Sequence, residues 1–148
     1  MRKHFIAILL LISVVLPIFS VSTTAAEIRT SEYFIRCTAS VSAGGSSGEL
    51  AVTYRVTTEA EGITKLGVST IMVYKADGTF YKRIVGTSSN GLIITSGMVC
   101  AGTHTIQCEP STSYYCVVTF ISQNTSGYDM RSVTTNTATT PGQIVPIP

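Results

Sequence analysis

Four cysteines, a serine within a glycine run and two histidines are the residues of this 148-residue chain whose types and spacing could do chemistry. Cys37, Cys100, Cys108 and Cys116 are even in number within a small chain, which reads as two disulfides formed in an oxidising compartment. Seven residues separate Cys100 from Cys108, and seven separate Cys108 from Cys116, so no short Cys-x-x-Cys knuckle exists for zinc. The favoured pairing is Cys108 with Cys116 and Cys37 with Cys100, because it closes the short segment 109–115 at its base. Cys37 with Cys116 and Cys100 with Cys108 is the alternative. Each bridge would contribute about 2–4 kcal/mol, mainly by restricting the unfolded chain.

Other candidates for catalysis are weaker. Gly44-Gly45-Ser46-Ser47-Gly48 contains the spacing of a nucleophile elbow, but that motif needs a strand-to-helix turn, and here a second strand follows. Ordinary turn chemistry explains the composition. His104 is the only histidine beyond the N-terminal segment, so any acid–base or Ser-His chemistry would have to use it. Its phase with Ile106 and Cys108 puts it at a partly buried strand position. Glu59 and Glu61 alternate in a loop, whereas a glycosidase pair must face across a cleft. For Asp77 and Asp129, turn formation suffices. No metal-binding His-Glu-x-x-His, phosphate loop or calcium loop is present. Asn124-Thr125-Ser126 is a glycosylation acceptor only in a eukaryotic secretory pathway. The expectation is a protein without catalytic residues, metal or cofactor. A small secreted hydrolase using His104 is the alternative.

The elements that would carry these residues begin after a targeting segment. Residues 1–26 have a positive end at Arg2 and Lys3, an apolar run from Phe5 to Leu16 broken by Pro17, and small residues at Thr24, Ala25 and Ala26. The run is too short for a spanning helix, which needs roughly 20 residues. A secretory signal cleaved after Ala26 is expected, with a retained anchor as the other reading. The formal charge of +2 then vanishes, because loss of Arg2 and Lys3 leaves eight basic residues against eight acidic. A neutral surface lacks the clustered Lys and Arg that draw nucleic acid or anionic membrane.

The remaining chain is rich in Ser, Thr, Val, Ile and Tyr and carries no helical stripe, so it is predicted to be all-β. Strands are predicted at 33–41, 49–58, 66–75, 80–85, 103–108, 114–122 and 128–135, with a minor edge strand at 92–94. Asp77-Gly78 between two apolar runs predicts a two-residue hairpin turn with both residues at positive φ. That turn would set Lys75 opposite Phe80, Tyr74 opposite Tyr81, Val73 opposite Lys82 and Ile71 opposite Ile84. Ile71, Val73 and Ile84 then face the core; Met72, Tyr74, Tyr81 and Arg83 face outward. Leu66 and Val68 have the opposite parity to Ile71 and Val73, which calls for a bulge near Ser69 and Thr70. Strand 114–122 is apolar on both faces, as a central strand would be. Residues 136–148, with Pro141, Pro146 and Pro148, are expected to form a disordered tail.

Seven or eight short strands over residues 27–135 describe a single two-sheet sandwich of immunoglobulin-like, fibronectin-type kind. Tyr114 lies two residues before Cys116 at the start of a central strand, the position of a tyrosine corner. The second-strand Cys and core Trp of an antibody domain are absent. The export signal, Leu66-Gly67-Val68-Ser69-Thr70-Ile71, Tyr74-Lys75-Ala76-Asp77-Gly78-Thr79, Ser113-Tyr114-Tyr115-Cys116-Val117-Val118-Thr119 and Ser126-Gly127-Tyr128-Asp129 together resemble a family of small exported proteins of Gram-positive bacteria whose function is unknown. That resemblance implies export and the same immunoglobulin- or fibronectin-like sandwich, supplies no catalytic or binding residues, and does not extend to the four cysteines. What remains is a surface. If the hairpin and strand 114–122 share a sheet, its outer face carries Tyr74, Tyr81, Tyr115, Val117 and Met72, and exposed aromatic patches commonly recognise partners. The expected function is a secreted, non-enzymatic module that binds an extracellular protein or a cell-surface polymer. A secreted effector or toxin-like role is the further alternative.

Overall fold

Alternation of apolar and polar residues is plainest in the second strand of this molecule. In the segment Glu49–Thr58, Leu50, Val52, Tyr54, Val56 and Thr58 are buried and the residues between them are not. A period of two aims one side of a strand inward, so such a segment lies on a core with its other face toward water. The computed structural model describes residues 33–143; the expected signal segment 1–26 and residues 144–148 lie outside them.

The described residues form nine strands and no helix: β1 (Phe34–Ala43), β2 (Glu49–Thr58), β3 (Ile63–Lys75), β4 (Phe80–Val85), β5 (Ile93–Ile94), β6 (Val99–Gln107), β7 (Ser113–Asn124), β8 (Tyr128–Thr134) and β9 (Ala138–Thr139). They make two antiparallel sheets. One has the order β1-β2-β6. The other has the order β4-β3-β7-β8, with β5 beside β3 and β9 beside β7. Val41, Leu50, Val52 and Val56 from the first sheet and Leu66, Val68, Ile71, Val73, Val118 and Phe120 from the second form one buried cluster. A polar link crosses that core: the buried hydroxyls of Thr58 and Ser122 are 3.2 Å apart, and Thr58 also donates to the Tyr33 carbonyl.

The expected parity change in β3 is a bulge at Ser69, where pairing with β7 steps from Val68 opposite Phe120 to Thr70 opposite Thr119. Gly86 makes room for it. Its N–H donates to the Ser69 carbonyl at 2.8 Å, and a Cβ there would lie 1.7 Å from the Val68 carbonyl oxygen.

The β3–β4 turn differs from the two-residue form. Gly78 has φ 89°, whereas Asp77 is not among the positive-φ residues, and Gly78 N–H donates to Lys75 C=O while Lys75 N–H donates to Thr79 C=O. This is a three-residue turn over Ala76, Asp77 and Gly78, with the glycine in the left-handed position. Asp77 Oδ1 accepts from Thr79 N–H at 2.8 Å, which holds the Asp77 carboxyl below its ordinary value. The longer turn sets Tyr74, not Lys75, opposite Phe80. A bulge then absorbs Tyr81, and Val73 opposite Lys82 and Ile71 opposite Ile84 recover the expected register.

Two further segments depart from expectation. β6 begins at Val99 rather than Thr103, because Gly102 is a working strand residue: a Cβ there would sit 2.9 Å from Tyr54 Oη, so its absence lets the Tyr54 ring lie across the strand and donate to Gly91 C=O. Within the segment expected as a disordered tail, Asn136 and residues 138–141 hydrogen-bond to the body. Ala138 and Thr139 pair with Tyr114 and Ser113, and the buried Thr140 hydroxyl donates to Glu109 C=O at 2.6 Å. Apolar periodicity could not reveal this segment, because polar hydrogen bonds hold it.

Candidate functional site

The outer face of the larger sheet carries an aromatic cluster built by strand register. Tyr74 on β3 stands directly opposite Tyr115 on β7 and Phe80 on β4. The Tyr74 and Tyr115 rings stack with centroids 5.3 Å apart and planes 13° from parallel. Phe80 meets Tyr74 edge-on at 5.7 Å. Cross-strand neighbours on one face come this close because directly opposed Cβ atoms are only about 4.5–5.5 Å apart. The next row holds Met72 opposite Val117 and Arg83, and Tyr74 Oη reaches Met72 Sδ at 3.8 Å. Phe80 is 54% exposed, while Tyr74 and Tyr115 are half-buried, so the cluster offers ring surface to solvent.

Of the three tyrosines expected on this face, Tyr74 and Tyr115 come together and Tyr81 does not. The bulge that absorbs Tyr81 turns it to the inner side, where its ring lies 5.1 Å from that of buried Tyr114. Burial pushes its hydroxyl above the ordinary value, and Lys75 Nζ lies 5.9 Å from its ring centroid while pairing with Glu109 at 2.7 Å. Phe80 takes the place assigned to Tyr81. Sequence reasoning missed Phe80, and a three-residue turn at Ala76-Asp77-Gly78 would have been the signal for it.

All four cysteines are thiols in this structure: Cys37 is half-buried, and Cys100, Cys108 and Cys116 are buried. Burial pushes the Cys37 thiol up to about 11 and that of Cys116 up to about 12. A buried thiol held protonated is a poor nucleophile. The register also argues against the expected bridge between Cys37 and Cys100. Each stands opposite Val56, one on either side of β2. Two strand spacings separate their Cα atoms by roughly 9–10 Å, and a disulfide spans at most about 6.8 Å.

His104 lies on β6 opposite Val52, half-buried on the core-facing parity, as its phase implied. Among the described residues, no carboxylate or hydroxyl hydrogen-bonds to it, and no group of three His, Cys, Asp or Glu gathers as a metal site. Gly44 to Gly48 form the β1–β2 turn, where Glu49 Oε2 accepts from the Ser46 backbone N–H at 2.9 Å. Beside it lies an open depression of about 320 Å³, lined by Ser46, Glu49, Thr105, Ile106 and Gln107. Comparison with family models, curated proteins and solved structures finds no match to this chain.

Proposed function

We propose that this protein is a secreted, non-enzymatic module of immunoglobulin or fibronectin type that binds an extracellular protein or a cell-surface polymer through the outer face of its larger sheet. The strand orders β1-β2-β6 and β4-β3-β7-β8 support the fold type, since three strands facing four is the pattern of such sandwiches, with the two-residue strands β5 and β9 added beside β3 and β7. So does Tyr114, buried at the start of β7, whose hydroxyl accepts from the backbone N–H of Glu109, five residues upstream, at 3.2 Å. A tyrosine corner makes this kind of bond.

The observation that carries the binding reading is the Tyr74–Tyr115 stack extended by exposed Phe80. Rings held rigidly by a sheet lose little entropy when a partner covers them, and large aromatic side chains dominate recognition energies. The test is a pull-down from cell-surface extracts and cell-wall polymer. The double variant Tyr74→Ser with Tyr115→Ser should lose the partner while keeping the wild-type fold by circular dichroism. Retained capture by that folded variant would sink the reading.

A further inference from the structure

The register sorts the four cysteines by height along the sheets and leaves Cys108 with Cys116 as the pair at one end with no strand between them. Cys37 and Cys100 share the row of Val56, two residues from Thr58, at the end where Thr58 faces Ser122. Cys108 is at the opposite end, where its N–H donates to Gly48 C=O. Cys108 lies eight positions along an extended chain from Cys100, about 26 Å, and the same span lies between Val56 and Gly48. Cys108 therefore reaches neither Cys100 nor Cys37. Cys116 is six residues from Ser122 along β7, about 20 Å, well below the row of Cys37 and Cys100.

Cys116 and Cys108 occupy the same end. After Cys108 the chain leaves the smaller sheet, crosses through Glu109 to Thr112, and enters β7 at Ser113. The bond from Glu109 N–H to Tyr114 Oη ties the two sides of this crossing together directly beside Cys108, and Cys116 follows Tyr114 by two residues on the same core-facing side. Both thiols belong to the shared core cluster.

We propose that Cys108 and Cys116 form the single disulfide of this protein, a staple between its two sheets where β6 passes to β7, and that Cys37 and Cys100 stay as thiols on either side of Val56. The oxidant is a small disulfide such as oxidised glutathione. Cys108 gives up its proton, its sulfur attacks one of the two glutathione sulfurs and one glutathione thiolate leaves, giving a mixed disulfide. Cys116 then gives up its proton, and its sulfur displaces the second glutathione thiolate. Two protein S–H bonds are replaced by one S–S bond, and the oxidant leaves as two thiols carrying the two protons. The assignment is independent of the binding reading.

The test incubates the whole chain in a buffer of oxidised and reduced glutathione, alkylates it in denaturant, and maps the peptides without reduction after trypsin and chymotrypsin, which separate Cys116 from Cys108 at Tyr115. The expected result is one linkage, Cys108 to Cys116, with Cys37 and Cys100 alkylated. The linkage survives in Cys100→Ser and is lost in Cys108→Ser, where Cys116 becomes alkylated. A linkage that includes Cys37 or Cys100, or four alkylated cysteines in the oxidised wild type, would overturn the proposal.

Discussion

The side-chain amide of Asn136 stands in for a neighbouring strand at Val41: Nδ2 donates to the Val41 carbonyl at 2.8 Å, and Oδ1 accepts from the Val41 N–H at 3.0 Å. β1 is an edge strand, and unpaired edge groups are where sheets add foreign strands. Asn136 covers one such pair from 95 residues away. Asn136→Ala should cost about 1–3 kcal/mol through two lost bonds. Urea unfolding reads this as a lower midpoint, and an unchanged midpoint would contradict the role.

Tyr81 and Tyr74 should separate stability from recognition. Tyr81 packs on Tyr114 at the core, so Tyr81→Ala is expected to cost about 1–3 kcal/mol, below the range for a fully buried ring. Tyr74→Ser removes only cross-strand contacts on an outer face, worth about 0.2–1 kcal/mol. Thermal melts of the two variants should therefore differ clearly, with Tyr81→Ala the lower. The reverse order would place Tyr81 on the wrong face.

Gly86 and Gly78 differ in what restrains them. A Cβ at Gly86 would overlap the Val68 carbonyl oxygen, so the backbone must move and the Ser69 bulge with it, costing about 2–4 kcal/mol. At Gly78 nothing lies within 4 Å, and Gly78→Ala meets only the left-handed backbone, costing about 1–2 kcal/mol. Chemical denaturation of both variants checks the order.

Reduced protein should lose stability in alkali. The folded chain holds the Cys116 proton up to about 12, against an ordinary value of 9.0, because burial penalises the thiolate. The contribution is complete below pH 9, where both states keep the proton, and falls as pH rises from 9 toward 12, where the unfolded chain binds fewer protons. Cys116→Ala should show a shallower decline over that window in urea titrations at successive pH values. An identical slope would remove Cys116 as its source.

Most of the strand map was legible because burial on one face forces a period of two, and that period is written in side chains. The opposed parities of Leu66 and Ile71 disclosed the Ser69 bulge, and Asp77-Gly78 located the hairpin. Tyr81 was misassigned because the longer turn sets Phe80 opposite Tyr74 and the bulge that restores the register at Lys82 turns Tyr81 inward; turn length depends on the φ of Asp77, which its residue type leaves open.

The sequence by itself determined an all-β chain and the inward row of β2, and it placed Tyr114 and Cys116 on one face of a two-sided central strand. These follow from local alternation, which needs no partner to be read. Only the tertiary structure decided that Phe80 joins Tyr74 and Tyr115, that Asn136 covers the β1 edge at Val41, and that Cys37 and Cys100 lie one strand too far apart to bridge. Those relationships depend on which strands become neighbours and at what height, quantities set by the packing of two sheets on one core.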